Sequence, residues 1–271
     1  MAIITDLSNY DGEDKIVSSY EMQKILQNQR HSYKIMSHIP SLDRLIDGFV
    51  PGELIVISGP TKNGKSLFSQ TLTKNFHDQH AISLWFSYEL PPHQFLSCFP
   101  ELPLIYMPKM LRSADYDWLE QRIMESFTKY RTRFIFLDHL HYLVDMARLR
   151  NPSIEIGSVI RRLKLLAVRE ELVIFLMCHT KKFNRDGNDF GEIRDSSFVE
   201  QESDCALMVR RFPDIDDNVA CLMVNQHRRT GVLQKKVWLE KQGNYLVETT
   251  DRETDFGSKE CRETGRRYWD D

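Results

Sequence analysis

The chain reads as an α/β protein with a mainly parallel central sheet, helices on both faces and antiparallel strands at the C-terminal end. Three observations predict this. Short apolar, β-branched runs alternate with stretches of helical spacing, the pattern of strand–helix–strand units. A glycine loop follows the first such run and opens a helix. The last apolar runs alternate residue by residue, and two of them flank Gln242-Gly243-Asn244, as a hairpin should.

Each element is justified in turn. Ile16 to Leu26 carries apolar residues at helical spacing inside a polar stretch, residues 1–38. A single amphipathic helix cannot bury its own stripe, so this N-terminal extension is expected to dock on its own core or on a neighbour. The core begins near Ile39-Pro40-Ser41-Leu42, and Pro51-Gly52 turns the chain into a strand at Leu54 to Ser58. A helix over Leu67 to Phe76 and a strand over Ala81 to Ser87 follow. Residues 91–113 are punctuated by prolines, with a short strand at Leu104 to Tyr106. Tyr116 to Tyr130 is helical, and Phe134 to Leu137 is a buried strand capped by Asp138. A helix over Ser158 to Glu171 leads into a strand from Leu172 to Cys178. A polar segment, Lys181 to Ser197, precedes strands at Cys205 to Arg210, Val219 to Asn225, Val232 to Glu240 and Tyr245 to Val247. One α/β domain is expected over residues 39–249, followed by a charged tail over residues 250–271.

Composition excludes several classes. The 271 residues are 41% hydrophobic and 28% charged with a formal net charge of −3, an ordinary globular balance without a uniformly basic coat. The five cysteines are scattered without a C-x-x-C pair, which argues against a zinc module and a disulfide framework. No apolar run approaches the roughly 18 residues of a membrane span, and the N-terminus has no signal pattern. The expected location is the cytoplasm, or a host's cytoplasm.

The most specific motif is Gly59-Pro60-Thr61-Lys62-Asn63-Gly64-Lys65-Ser66, a full match to G-x-x-x-x-G-K-[ST] between a strand and a helix. Glycines let backbone N–H groups close around phosphate oxygens, and the helix N-terminus adds positive dipole. With Leu67 completing the stretch, these residues are expected to hold ATP or another nucleoside triphosphate. Lys65 meets the β- and γ-phosphates, and Ser66 offers a hydroxyl to Mg²⁺. Asp138, ending an apolar strand, is the second candidate for holding Mg²⁺, directly or through water. Glu89 ends the neighbouring strand on the same carboxyl edge, where it can polarise an attacking water.

The order of motifs resembles RecA-type ATPases of the DnaB, Twinkle and KaiC groups, and most closely replicative ring helicases. The likeness is carried by Ile39-Pro40-Ser41-Leu42-Asp43-Arg44-Leu45 through Ser66, Phe86 to Leu90, Leu137-Asp138-His139-Leu140, Arg162 to Ala167, Met177 to Lys181 and Asp195 to Asp204. The resemblance implies a RecA-like core, a γ-phosphate sensor at His179 and a single-stranded DNA contact in the basic loop carrying Lys181, Lys182, Arg185 and Arg194. It further implies an arginine finger in Asn225 to Gly231, with Arg228 preferred over Arg229. Gln226 stands where DnaB-type proteins usually carry a lysine. The function that the resemblance implies is an ATP-driven motor on single-stranded DNA, a homo-oligomer in the form of a hexameric ring, served in trans by a primase or helicase loader. A RecA- or RadA-like recombination ATPase and a KaiC-like regulatory ATPase are the alternatives.

Overall fold

The computed structural model describes residues 8–28, 33–144, 152–179, 197–212 and 216–249. It divides the chain into two units, Met1–Tyr33 and Lys34–Asp271. In the first, α1 (Ser19–Asn28) starts on a reciprocal cap. Ser18 N donates to Glu21 Oε2 at 2.9 Å, and Glu21 N donates back to Ser18 Oγ at 3.2 Å. That cap sets the helix start three residues after Ile16. The apolar stripe of Tyr20, Met22, Ile25 and Leu26 is exposed.

The second unit is built on one nine-stranded sheet of order β3-β2-β4-β5-β1-β6-β7-β8-β9. Its strands are β1 (Leu54–Ser58), β2 (Ser83–Ser87), β3 (Ile105–Tyr106), β4 (Phe134–Asp138), β5 (Val173–Met177), β6 (Cys205–Phe212), β7 (Asp216–His227), β8 (Val232–Gln242) and β9 (Tyr245–Glu248). The first six are parallel and the last three antiparallel, in the expected arrangement. Strands β1, β2, β4 and β5 are buried at every residue, which is why they read as continuous apolar runs instead of alternating ones.

Helices α5 (Tyr116–Tyr130) and α6 (Pro152–Arg169) cover one face. Their Leu119, Ile123, Ile160 and Leu163 pack in one cluster with Val56, Phe86, Leu137 and Leu176 of the strands. The other face carries α3 (Lys65–Asp78) over an aromatic layer. In it Phe76 meets Phe134 and Phe175, and Trp85 stacks on Phe136 at 4.7 Å. The C-terminal hairpins are tied back to the body. Glu248 accepts from Ser41 N at 2.7 Å, and Leu246 N donates to Thr71 Oγ1 at 2.9 Å.

Helix boundaries depart from the sequence reading where proline is involved. α6 begins at Pro152 and not at Ser158, since proline lacks only an N–H that the first turn leaves unused. α2 (Pro40–Ile46) and α4 (Pro92–Ser97) open on prolines in the same way, inside stretches that periodicity alone leaves as connections. α7 (Ser197–Glu202) is too short to show a period. Cys98, Cys178, Cys205 and Cys221 are free thiols, and among the described residues no helix is long and apolar enough to cross a membrane.

Candidate nucleotide site

The phosphate loop leaves the carboxyl end of β1, a central strand between β5 and β6. Gly59 has φ +147°, and a Cβ there would lie 2.3 Å from the Val209 carbonyl oxygen, so only glycine lets the loop cross β6 this closely. Gly64, at φ +93°, turns the chain into α3. Asn63 Oδ1 accepts from Arg211 N at 2.9 Å and locks the loop to β6. Lys65 is 7% exposed. Its Nζ donates to the Gly59 and Pro60 carbonyls and to His179 Nδ1, each at 2.9 Å. Among the described residues no carboxylate bonds it directly. Burial therefore pulls its pKa down to about 8, against the opposing pull of Glu89 and Asp138.

Sheet register brings the other groups to the same edge. Ile57 pairs with Met177, Leu176 with Leu137, and Asp138 with Ser87. Asp138 thus stands one strand beyond β5 from the loop, and Glu89 leaves β2 beside it. The two carboxylates sit in opposite environments. Asp138 is 4% exposed, and among the described residues no donor bonds it. Burial, then the charge of Glu89, pushes its pKa up to about 7. A buried carboxyl without a donor among the described residues fits a divalent cation that would supply the missing positive charge. Glu89 accepts from His179 Nε2 at 2.8 Å, with His139 Nε2 at 3.4 Å. The His179 bond, outweighing burial, holds Glu89 below the usual carboxylate range.

His139 is the group that motif reasoning passes over. It follows Asp138 directly at φ +92°, a conformation few residues other than glycine adopt. Burial first, then the neighbouring imidazole, pulls its pKa down to about 4, so its ring is neutral. Glu89, His139 and His179 offer ligand atoms all within 4.8 Å of one another, a set that zinc accepts elsewhere. The donors around them argue for another arrangement. Lys65 has only protons to give to His179 Nδ1, and His141 N donates to His139 Nδ1 at 3.3 Å. Both rings therefore turn a protonated Nε2 toward Glu89: His179 is hydrogen-bonded to it at 2.8 Å, and His139 faces it at 3.4 Å as a weaker electrostatic neighbour.

The expected arginine pair separates. Arg229 is a structural clamp. Its Nε donates to Glu53 at 3.0 Å and its Nη2 to the Ile46 and Gly48 carbonyls at 2.8 and 2.6 Å. Arg228 is exposed; its backbone N donates to Asp204 O at 2.8 Å and its guanidinium to the Gln201 carbonyl. Asp204 in turn bonds Leu54 N at 2.8 Å, at the start of β1. Arg228 thus lies at the amino edge, roughly 15 Å of strand away from its own phosphate loop at ~3.3 Å per residue. Lys181, Lys182, Arg185 and Arg194 lie outside the described residues. Arg211, against Gly64 with its side chain on the Asp217 carbonyl, is a further loop neighbour that no motif marks.

No protein-family model and no curated protein sequence matches the chain. Solved structures do. A DnaB-like replicative helicase, solved with its interactions with primase, superposes with TM-score 0.68 at 17% identity over 85% of this chain and 67% of that one. The ATPase domain of G40P superposes with TM-score 0.67 at 18% identity over 85% of this chain and 96% of that one. The fold is a RecA-like α/β ATPase core. More narrowly, it is the fold of the ATPase domains of DnaB-like helicases.

Proposed function

We propose that the chain is the motor ATPase of a DnaB-like DNA helicase, hydrolysing ATP with Mg²⁺ to move along single-stranded DNA in the cytoplasm. Lys65 and the loop amides hold the β- and γ-phosphates, Ser66 and Asp138 hold the metal, and Glu89 activates water. His179, bonded to both Lys65 and Glu89, is placed to sense the γ-phosphate. When bound, Mg²⁺ supplies positive charge to the phosphate oxygens.

The observation that carries the reading is the position of Arg228. A finger at the amino edge cannot serve its own loop, so it supports a homo-oligomer, in this reading a hexameric ring, whose sites are completed by the next subunit. Arg228→Ala is expected to bind ATP and hydrolyse it poorly, and mixing it with Lys65→Ala should restore activity. Absence of rescue overturns the shared site. ATPase rate with and without single-stranded DNA, measured with assembled mass, separates a DNA motor from a regulatory ATPase.

Lys181, Lys182, Arg185 and Arg194 are proposed to track DNA phosphates. Neutralising the first three should flatten the salt dependence of single-stranded DNA binding by ~0.7 in log–log slope per lost contact. The neighbour solved with its primase interactions supports a primase as partner; a helicase loader is the other partner proposed.

A further inference from the structure

We infer that His139 is a positioning residue that holds the Glu89 carboxylate in line for water activation without itself bonding the phosphate loop. The inference rests on Glu89 being the base.

Glu89 has two imidazole neighbours, and their other attachments differ. His179 is wired to the phosphate loop: Nδ1 meets Lys65 Nζ at 2.9 Å and Thr61 Oγ1 at 3.4 Å. An arriving triphosphate takes the Lys65 protons for itself, so His179 loses one of its fixed partners at the moment Glu89 is needed. His139 makes no described hydrogen bond to the loop; its ring packs on that of His179 at 4.4 Å. It is fixed from its own strand. Asp138 before it ends a buried strand, and Leu140 and Leu143 after it are buried in the core. Between these anchors the chain turns at His139 with φ +92° and ψ 98°. A non-glycine residue in such a conformation costs roughly 1–3 kcal/mol and persists only where its surroundings impose it.

The ring is then held on every side. Nδ1 accepts from His141 N, which leaves Nε2–H as the free donor, 3.4 Å from Glu89 Oε1. Tyr142 sits edge-on to it at 5.4 Å and stacks on Tyr88 at 5.3 Å, the residue before Glu89. Tyr88 is itself anchored, its hydroxyl donating to the Arg112 carbonyl at 3.0 Å. His139 and Glu89 are thus joined twice, directly and through the two tyrosines.

His139→Gly tests this safely, because glycine adopts the backbone conformation freely. His139→Asn keeps a donor on a residue tolerant of positive φ. Misplacing a reacting group by about 1 Å costs ~10²-fold, so His139→Gly should lower kcat by roughly 10–10²-fold with KM for ATP nearly unchanged. His139→Asn, or imidazole added to His139→Gly, should recover part of the loss. In single-turnover hydrolysis, adding His139→Gly to Glu89→Gln should cost nothing further. Wild-type kcat in His139→Gly, a change in KM alone, or full multiplicative losses in the double variant would each overturn the proposal. Normal hydrolysis by Glu89→Gln alone would instead remove the base assignment beneath it.

Discussion

Glu53 and Asp138 are almost equally buried, at 5% and 4% exposure, yet their pKa values move in opposite directions. They stand at opposite edges of one sheet. At the amino edge, burial pushes Glu53 up, but His227, the Val50 amide and Arg229 outweigh it and leave the carboxyl below its ordinary value. The rest of that edge is matched in the same way. Asp204 bonds Lys164 Nζ at 2.6 Å and the Leu54 amide at 2.8 Å, and Lys164 also reaches the Gly52 carbonyl at 2.7 Å. At the carboxyl edge, among the described residues, Asp138 has no donor and Lys65 no bonded carboxylate, so both lean toward their neutral forms. Burial alone does not decide the charge state; partners do. One edge is closed by its own side chains. The other is left short of the charges that a magnesium–triphosphate would supply.

The largest effect expected from this contrast is chemical and confined to the carboxyl edge. Glu89→Gln keeps the shape of the side chain and removes the proposed base. It should retain ATP binding and lose ~10²–10⁴-fold in turnover. Normal turnover in that variant would break the division between the edges, because the group singled out by geometry would be idle.

The amino edge should respond in stability instead. Arg229→Ala leaves Glu53 buried beside His227 without its cation. It should cost about 2–4 kcal/mol, read from the urea unfolding midpoint. Arg228→Ala, one residue earlier and exposed, should cost less than about 0.5 kcal/mol. A reversed order would mean that the two arginines have exchanged roles.

This pair also shows where sequence reading reached and where it stopped. The phosphate loop, the succession of strands and helices around it and the edge positions of Asp138, Glu89 and His179 were legible, because glycine spacing and apolar runs are local signals. The choice between Arg228 and Arg229 was not. It depends on Glu53 and the carbonyls of Ile46 and Gly48, which are distant in the chain and reach Arg229 only through the fold. His139 escaped for a related reason. Its role follows from a backbone turn between two buried anchors, and a histidine after an aspartate carries no such information by itself. Pro92 was read as punctuation, and Pro40 and Pro152 were not read as helix starts, whereas each opens a helix, since periodicity does not distinguish a proline that ends an element from one that begins it.

The smallest effect is the most direct measure of the contrast, and it has a defined sign. The Asp138 carboxyl titrates near 7 in the folded chain, from a usual 3.8. Between those two pH values the folded state binds the proton that the unfolded chain has released, so stability falls as pH rises through the window and stays reduced above it. Asp138→Asn removes the cost. A shift of this size corresponds to at most ~4 kcal/mol, and relaxation around the site reduces the expected gain to about 1–3 kcal/mol. Without nucleotide and with EDTA present, the variant should therefore melt higher than the parent chain at pH 8, and at the same temperature near pH 4. Adding Mg²⁺ and ATP should reverse the order, because the parent gains a ligand-bound state that the variant lacks. A stability gain independent of pH would show that Asp138→Asn acts through packing, and Asp138 would then no longer stand as the uncompensated counterpart of Glu53.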